Sequence, residues 1–244
     1  IQSNQKQKKV QKHWRKMNKH ITVMLEDAVA ALGIKPGKWY IDGTFGRGGH
    51  TAKILAAGGK VVAFDFDQDA ITFGKEKFAA EIETGSLILI RENFSHLADT
   101  IVTLQKTNQI SAIDGILFDF GTSTQQLTSQ ERGFSFEGDG PLDMRMDQRL
   151  GVQAQDLLVV IPENQLTELF KVMGGEIDAK RISKAIKSSK TPITTTKQLA
   201  DLILKVKGRR SSKIHPATKV FQALRIAVNT ELDNISDMLP QALN

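Results

Sequence analysis

The sequence lacks cysteine, and it contains no long apolar run. The absence of cysteine excludes disulfides, thiolate nucleophiles and cysteine-ligated zinc or iron–sulfur centres. No window approaches the roughly 18 consecutive apolar residues of a transmembrane helix, and the first residues contain no apolar signal core. We therefore expect a cytoplasmic protein with no membrane partner. The 244 residues are enough for one α/β domain with an elaboration.

Acidic residues are scarce in two segments. Residues 1–25 carry seven basic residues and no acid, and residues 180–219 carry twelve basic residues and one acid, although the net charge of the chain is only +6. Basic blocks on an otherwise acidic body indicate surfaces that bind a polyanion, because lysine and arginine displace counterions from phosphates. The alternatives are a solvated tail for the first block and solvated helix faces for the second.

Strand and helix patterns alternate in the first half of the chain. Apolar runs at 38–42, 60–65, 86–90 and 113–120 predict four strands, and the segments between them, such as 68–82, have helical spacing. Runs that are apolar on both faces are typical of a parallel sheet covered by helices on both sides. We therefore predict a doubly wound α/β fold.

The second half of the chain has a different pattern. Residues 121–150 read as a long ordered loop, which in a compact domain is usually functional. Residues 153–207 read as helical, and a last helix is predicted from Pro216 to about Leu239. The pattern therefore predicts a helical insertion between the fourth strand and the helix that returns to the sheet.

A glycine-rich segment, DGTFGRGGH at 42–50, lies between a predicted strand and a predicted helix. Glycines let the backbone approach a ligand, and the helix N-terminus offers free N–H groups. Asp65 ends the second strand, where its carboxylate can accept both hydroxyls of a ribose. Dinucleotides and S-adenosylmethionine share this layout. Asp42 would repel a pyrophosphate but suits ammonium and sulfonium charges, which favours S-adenosylmethionine.

A second distinctive segment follows the fourth predicted strand, at 119–147. Asp119 ends the strand, and polar residues that include Ser123 and Gln126 come next. Charged residues then alternate with apolar ones, a mixture that indicates a pocket wall or lid; they are Arg132, Asp139, Asp143, Arg145 and Asp147, interleaved with Phe134, Phe136, Met144 and Met146.

From about His20 onward, the chain resembles the bacterial 16S ribosomal RNA cytosine-N4 methyltransferases, the RsmH or MraW family. The motifs that carry the resemblance include YIDGTFGRGGH, FDFDQDAI, GILFDFG, ERGFSFEGDGPLDMRMD and HPATKVFQALRIAVNTEL. The chain departs from the family pattern at Ser123-Thr124-Gln125 and at 173–176. The resemblance implies a class I, Rossmann-like methyltransferase domain with an inserted all-helical domain. It also implies methyl transfer from S-adenosylmethionine to the exocyclic N4 of a cytidine in the decoding centre of 16S ribosomal RNA.

The resemblance and the charge pattern together give a set of expected site residues. The resemblance implies that Gly48, Gly49, His50, Asp65, Phe94, Asp119 and Gln126 contact the cofactor. The candidates for contact with N4 or the base edge are Asp119, Ser123 and Asp143. The expected RNA contacts are Arg132, Arg145, Lys205, Lys207, Arg209, Arg210 and Lys213. We expect no metal.

The predicted division of the chain is a basic tail at 1–19, a methyltransferase domain at 20–127 and 215–244, and a loop with the inserted helical domain at 128–214. Sheets of this class have more strands than the four predicted, so we expect that C-terminal strands are missing. We also expect the 244-residue piece to be poorly soluble or self-associating and to have little activity. The alternative is that another chain completes the sheet, and a homodimer stays open. Two rival functions also stay open, a non-catalytic ribosome-binding factor and a nicotinamide-dependent oxidoreductase.

Overall fold

The computed structural model describes residues 22–208 and 214–243. Its four strands are β1 (Trp39–Asp42), β2 (Lys60–Phe64), β3 (Leu87–Ile90) and β4 (Ile113–Leu117). They form one sheet with the order β3-β2-β1-β4, and all neighbouring strands are parallel. The predicted parallel sheet is therefore confirmed. The fourth strand ends at Leu117, earlier than predicted.

Helices cover both faces of the sheet. They are α1 (Leu25–Ala31), α2 (Gly49–Ala56), α3 (Gln68–Lys77), α4 (Ala79–Glu83) and α5 (Leu97–Lys106). Side chains alternate along β1, so that Tyr40 packs with α2 in one hydrophobic cluster while Trp39 and Ile41 pack with α5 in another. This burial on both faces explains the continuous apolar runs of the central strands.

Two predicted helices are each divided in the structure. The predicted helix 68–82 is split at Phe78, whose ring packs edge-to-face on Phe45 at a centroid distance of 5.8 Å. The predicted last helix is split into α11 (Thr218–Val228) and α12 (Glu231–Leu243). The break lies at Asn229 and Thr230, where Thr230 has a left-handed backbone with φ +47°.

The segment after β4 contains a short helix, α6 (Thr124–Thr128), and a 3₁₀ turn at Gln130–Arg132, which the loop prediction missed. The region 153–207, predicted to be helical, contains four helices: α7 (Ala154–Val160), α8 (Glu163–Val172), α9 (Ala179–Lys187) and α10 (Thr196–Lys207). A separate hydrophobic cluster joins α7–α11 to the apolar residues of the preceding loop, Phe134, Leu142, Met144 and Met146.

The packing of the last two helices differs from the predicted division of the chain. The predicted division assigns 215–244 to the methyltransferase domain, whereas α11 packs on α7 and α8 of the helical cluster. Only α12 returns to the sheet, where it contacts α5 and the 3₁₀ turn at Phe94–His96. Because α11 packs on these helices, the helical part of the chain, which begins at α7, extends through α11. The remainder of the division, including an inserted domain as such, stays a prediction.

β4 forms one edge of the sheet, and of its five residues only Leu117 is buried. Residues 22–208 and 214–243 contain no fifth strand, and missing C-terminal strands stay a prediction. Within these ranges no helix combines the length and apolarity that a membrane span requires.

Candidate active site

A pocket lies at the carboxyl ends of β1, β2 and β4. In the register of the sheet, Asp42 of β1 is level with Ala63 of β2 and Leu117 of β4, so the segments that follow these strands meet at one edge. The winding of the sheet reverses between β1 and β4, which is where open α/β sheets bind ligands. The lining includes Thr44, Gly46, Arg47, Gly49, His50, Asp65, Asp67, Phe94, Asp119, Phe120, Ser123, Gln126, Arg132, Met146, Asn229, Glu231 and Asn234.

The glycine-rich loop turns sharply before α2. Gly46 and Gly48 have positive φ values of 53° and 66°, which other residues adopt only with strain. A Cβ on Gly48 would lie 2.6 Å from the ring of Phe78, so this glycine faces the hydrophobic core. Gly49 and His50 line the pocket, whereas Gly48 does not. We therefore assign Gly48 to the turn, and the contact expected of it with a ligand has no support from its position.

Asp42 lies behind the loop instead of facing the pocket as the sequence argument required. Its carboxylate is buried and accepts hydrogen bonds from the Thr51 hydroxyl (2.7 Å) and the Thr44 N–H (3.2 Å). It is absent from the pocket lining, so it cannot meet the charges of a bound ligand directly. Burial raises the pKa of Asp42, and the bond from Thr51 opposes that shift. Asp42 therefore fixes the loop to α2.

Asp65 lines the pocket and organises the backbone on both sides of it. Its Oδ2 accepts the Gly46 N–H (2.8 Å), and its Oδ1 accepts the Asp67 N–H (2.9 Å). Burial raises the pKa of Asp65 to about 7, and the nearby carboxylates of Asp67 and Asp42 add to the rise, although the two backbone bonds oppose it. Each oxygen keeps a lone pair that can accept a ligand hydroxyl.

His50 and Phe94 occupy different walls of the pocket. The His50 side chain is buried, and in the described part of the chain its Nε2 has no hydrogen-bond partner. A buried nitrogen without a partner is costly unless a ligand satisfies it. Phe94 is buried against Phe118 and Phe120, with ring centroids 5.6 and 5.5 Å away. The Phe120 ring is 44% exposed and was not singled out from the sequence.

Asp119 and Ser123 lie on the wall that follows β4. The Asp119 N–H donates to the Thr44 hydroxyl (2.7 Å), and its side chain is exposed. Among the described residues nothing pairs with its carboxylate. Ser123 caps the N-terminus of α6: its hydroxyl oxygen accepts the Gln126 N–H (3.3 Å), while Oε1 of Gln126 accepts the Ser123 N–H (2.9 Å). The Ser123 hydroxyl proton therefore stays available for a ligand.

Asp143 lies away from these two residues. It is absent from the pocket lining, and both its oxygens are bound by Arg145, at 2.7 Å to Nε and 2.8 Å to Nη2. The structure therefore brings together two of the three candidates for contact with the base, and Asp143 is not one of them. The Asp143 carboxylate therefore forms an ion pair with Arg145 within the loop.

Comparison with known proteins decides the family. The profile of the MraW methylase family matches residues 17–244. The chain belongs to the MraW methylase family. A ribosomal RNA small subunit methyltransferase H from Desulfotalea psychrophila is 45% identical over 91% of this chain and 76% of its own length. Proteins of the same name from Beijerinckia indica and Methylobacillus flagellatus are 48% and 42% identical, over 88% and 93% of this chain. The chain spans 59% and 70% of the lengths of those two.

The family resemblance noted from the sequence is thus confirmed, but several cations expected to contact RNA have internal roles. The Arg132 guanidinium is buried and bonded to Asp67, Asp69 and two carbonyls. Lys207 binds the fully buried Glu176 at 2.6 Å and the Pro216 carbonyl at 3.2 Å. These internal bonds leave little of either side chain for a phosphate, so the structure gives no support to the two expected RNA contacts, which stay predictions.

The remaining expected cations differ in exposure. Arg145 is largely buried and tied to Asp143 and two carbonyls, which leaves little of it for RNA. Lys205 is exposed, and no acid in the described part of the chain pairs with it. Arg209, Arg210 and Lys213 lie outside the described residues. In the second basic block, Lys187 and Lys219 also bind carbonyls near helix C-termini.

Sequence reasoning missed the pocket wall formed by Asn229, Glu231 and Asn234 at the junction of α11 and α12. The residues NTEL at the end of a family motif were a signal for this wall. The prediction of one continuous helix over these residues places their side chains on different faces of that helix. The break at Thr230 separates α11 from α12, and the residues around it line the same pocket as Asp119.

Proposed function

We propose that this protein transfers a methyl group from S-adenosylmethionine to the exocyclic N4 of a cytidine in the decoding centre of 16S ribosomal RNA, in the cytoplasm. The observation that carries the proposal is the convergence of Gly49, His50, Asp65, Phe94, Asp119 and Gln126 on one pocket. These residues come from separate segments, and the family resemblance had assigned all of them to the cofactor. The names of the relatives support small-subunit ribosomal RNA as the substrate.

The chemistry of the pocket fits a nucleoside cofactor. Asp65 offers carboxylate oxygens for ribose hydroxyls, and His50 offers a buried nitrogen that has no hydrogen-bond partner among the described residues. Phe94 and Gly49 line the same pocket, where the Phe94 ring can contact an adenine. When bound there, S-adenosylmethionine supplies an electrophilic methyl group on a sulfonium.

The residues after β4 can prepare the nucleophile. The N4 lone pair of cytosine is delocalised into the ring, so the enzyme must orient the amine and accept its N–H bonds as the new bond forms. Among the described residues nothing pairs with the Asp119 carboxylate, and Ser123 lines the same pocket four residues later in the chain. Asp119 would hold N4 and take up its proton, while Ser123 would bind the base edge.

Two cations at the rim of the pocket are suited to the RNA backbone. Arg47 lies over the Phe73 ring at 4.1 Å from its centroid, and the Lys77 ammonium lies 5.3 Å from the same centroid. Lys77 also donates to the Arg47 carbonyl (3.3 Å). Among the described residues no acid forms an ion pair with either cation, so both can contact phosphates. Exposed Lys180, Lys184 and Lys205 would extend this surface over the helical part.

The deciding experiment is nucleoside mass spectrometry of 16S ribosomal RNA from cells that lack this protein. We expect N4-methylated cytidine to disappear, to return with the wild-type gene, and to stay absent with Asp119→Asn. Asp114→Asn is the matched control, because Asp114 is an exposed carboxylate on β4 itself. Retention of the methylated nucleoside in the deletion strain would refute the proposal.

Two measurements separate the rival functions. A non-catalytic ribosome-binding factor would bind small subunits but transfer no tritium from labelled S-adenosylmethionine. A nicotinamide-dependent oxidoreductase would bind a nicotinamide dinucleotide in a titration and would not bind S-adenosylmethionine. The homodimer alternative stays a prediction.

A further inference from the structure

A buried arginine joins the two sides of the pocket. The Arg132 guanidinium pairs with Asp67 at 3.0 Å, in the turn that follows Asp65, and with Asp69 at 2.8 Å, in the first turn of α3. Its Nη2 also donates to the carbonyls of Arg145 (3.2 Å) and Met146 (2.9 Å). One side chain therefore ties the β2–α3 turn to the loop that leads into the helical part.

The far side of that loop is held by an asparagine. Oδ1 of Asn229 accepts the Met146 N–H (2.7 Å), and Nδ2 of Asn229 donates to the Met144 carbonyl (2.8 Å). The Met144 N–H in turn donates to the Arg132 carbonyl (3.0 Å). Residues 144–146, the clasp segment, thus lie between Arg132 and Asn229.

The clasp segment needs these bonds to keep its shape. Met144 is fully buried and has a φ of +64°, in the left-handed region that a residue with a Cβ adopts at a cost. Met146 and Asn229 line the pocket, whereas Met144 does not. A change at Asp67 can therefore reach Asn229, at the end of α11, through a continuous set of bonds.

We propose that Arg132 is a positioning residue that couples occupancy of the cofactor site to the order of the clasp segment and, through Asn229, to the α11–α12 wall of the pocket. The inference rests on the proposed function. Its physical basis is that Asp67 receives both the guanidinium and the Gln126 amide (2.8 Å) while its own N–H is held by Asp65. A ligand that fixes Asp65 and Gln126 fixes Asp67, and thereby the guanidinium and the two carbonyls it binds.

The test uses calorimetry and amide hydrogen exchange on the full chain, with S-adenosylmethionine as the ligand. We expect Arg132→Gln to weaken cofactor binding by about tenfold or more, as is usual for coupled sites. We also expect the cofactor to slow exchange of the Met144 amide about tenfold in the wild type and to have no such effect in the variant. Because Met144 does not line the pocket, direct shielding by the ligand cannot produce this slowing.

Arg149→Gln is the matched control, since Arg149 also pairs with an aspartate, Asp147 at 2.7 Å, but is half exposed. It should leave both readouts unchanged. If Arg132→Gln does not fold, Arg132→Lys gives the same test, because lysine keeps the charge but cannot make the paired bonds. Equal slowing at Met144 in the wild type and either folded Arg132 variant would overturn the inference. A wild-type protein that fails to bind S-adenosylmethionine would instead refute the proposed function.

Discussion

Because of the Asp65 carboxyl, the stability of the free protein and its affinity for S-adenosylmethionine should change in opposite directions with pH. In the folded protein the pKa of Asp65 is about 7, against 3.8 for an ordinary aspartate, because the group is buried. Between these two values the folded state keeps a proton that the unfolded state has released. The folded state therefore binds more protons, and stability falls as pH rises from about 4 to 7 and then levels off.

The size of this effect follows from the two pKa values. For a single group with pKa 3.8 unfolded and about 7 folded, the contribution to unfolding free energy changes by about 2–3 kcal/mol between pH 5 and pH 8. Other titrating groups, such as Asp42, contribute to the wild-type curve as well. Their contributions cancel when the wild type is compared with Asp65→Asn, in which this titration is removed.

The assay is urea unfolding of the wild type and Asp65→Asn at several pH values from 5 to 8. The difference between the two free energies should change by about 2–3 kcal/mol over this range, with m-values unaltered. Asp114→Asn, at an exposed carboxylate, should parallel the wild type. Parallel curves for the wild type and Asp65→Asn would show that the carboxyl titrates normally, and would refute the reasoning.

Cofactor binding should have the reverse dependence on pH. An ionised Asp65 accepts ribose hydroxyls best, so the affinity for S-adenosylmethionine should be about tenfold lower at pH 6 than at pH 8. Asp65→Ala should weaken binding by about ten- to a hundredfold at pH 8, because a charge-assisted bidentate contact is lost. If calorimetry on a folded Asp65→Ala variant gave an unchanged affinity, Asp65 would not be a cofactor contact.

The remaining predictions concern charges whose roles the structure separates. Lys207→Ala should lower the unfolding free energy by about 3–5 kcal/mol, because the fully buried Glu176 loses its partner. Lys205→Ala, at an exposed position on the same helix, should change it by about 0.5 kcal/mol or less in the same urea titration. Thr51→Val should cost about 1.5–3 kcal/mol by leaving buried Asp42 without its hydroxyl donor, and exposed Thr103→Val should cost far less. Substitution of Arg47 and Lys77 by glutamine should reduce the slope of log K for RNA binding against log salt concentration by roughly 1.4–1.8. The same change at Lys53 and Lys197, which pair with acids, should leave the slope unaltered. Equal slopes for the two double variants would exclude a phosphate contact at the rim of the pocket.

The predicted site and the observed one differ most clearly where a residue's role depends on its neighbours. Asp119, Ser123 and Asp65 were predicted at the pocket because each directly follows a strand or lies close behind one, and parallel strands bring their ends together. Asp143 lies far along an irregular loop, where no periodic pattern fixes its direction, and Arg145 binds it instead.

The parallel sheet and the position of the glycine-rich turn could be predicted from local patterns, because side-chain alternation, helical spacing and the left-handed preference of glycine act over a few residues. The family was suggested by the resemblance of whole motifs and is shown by the family profile. Which charged side chains form buried ion pairs depends on tertiary contacts. Lys205 and Lys207 lie on one helix, yet one is exposed and the other binds Glu176, since that partner comes from a segment distant in sequence. The burial of Arg132 and the wall at Asn229 have the same cause: they depend on contacts between segments that no local pattern encodes.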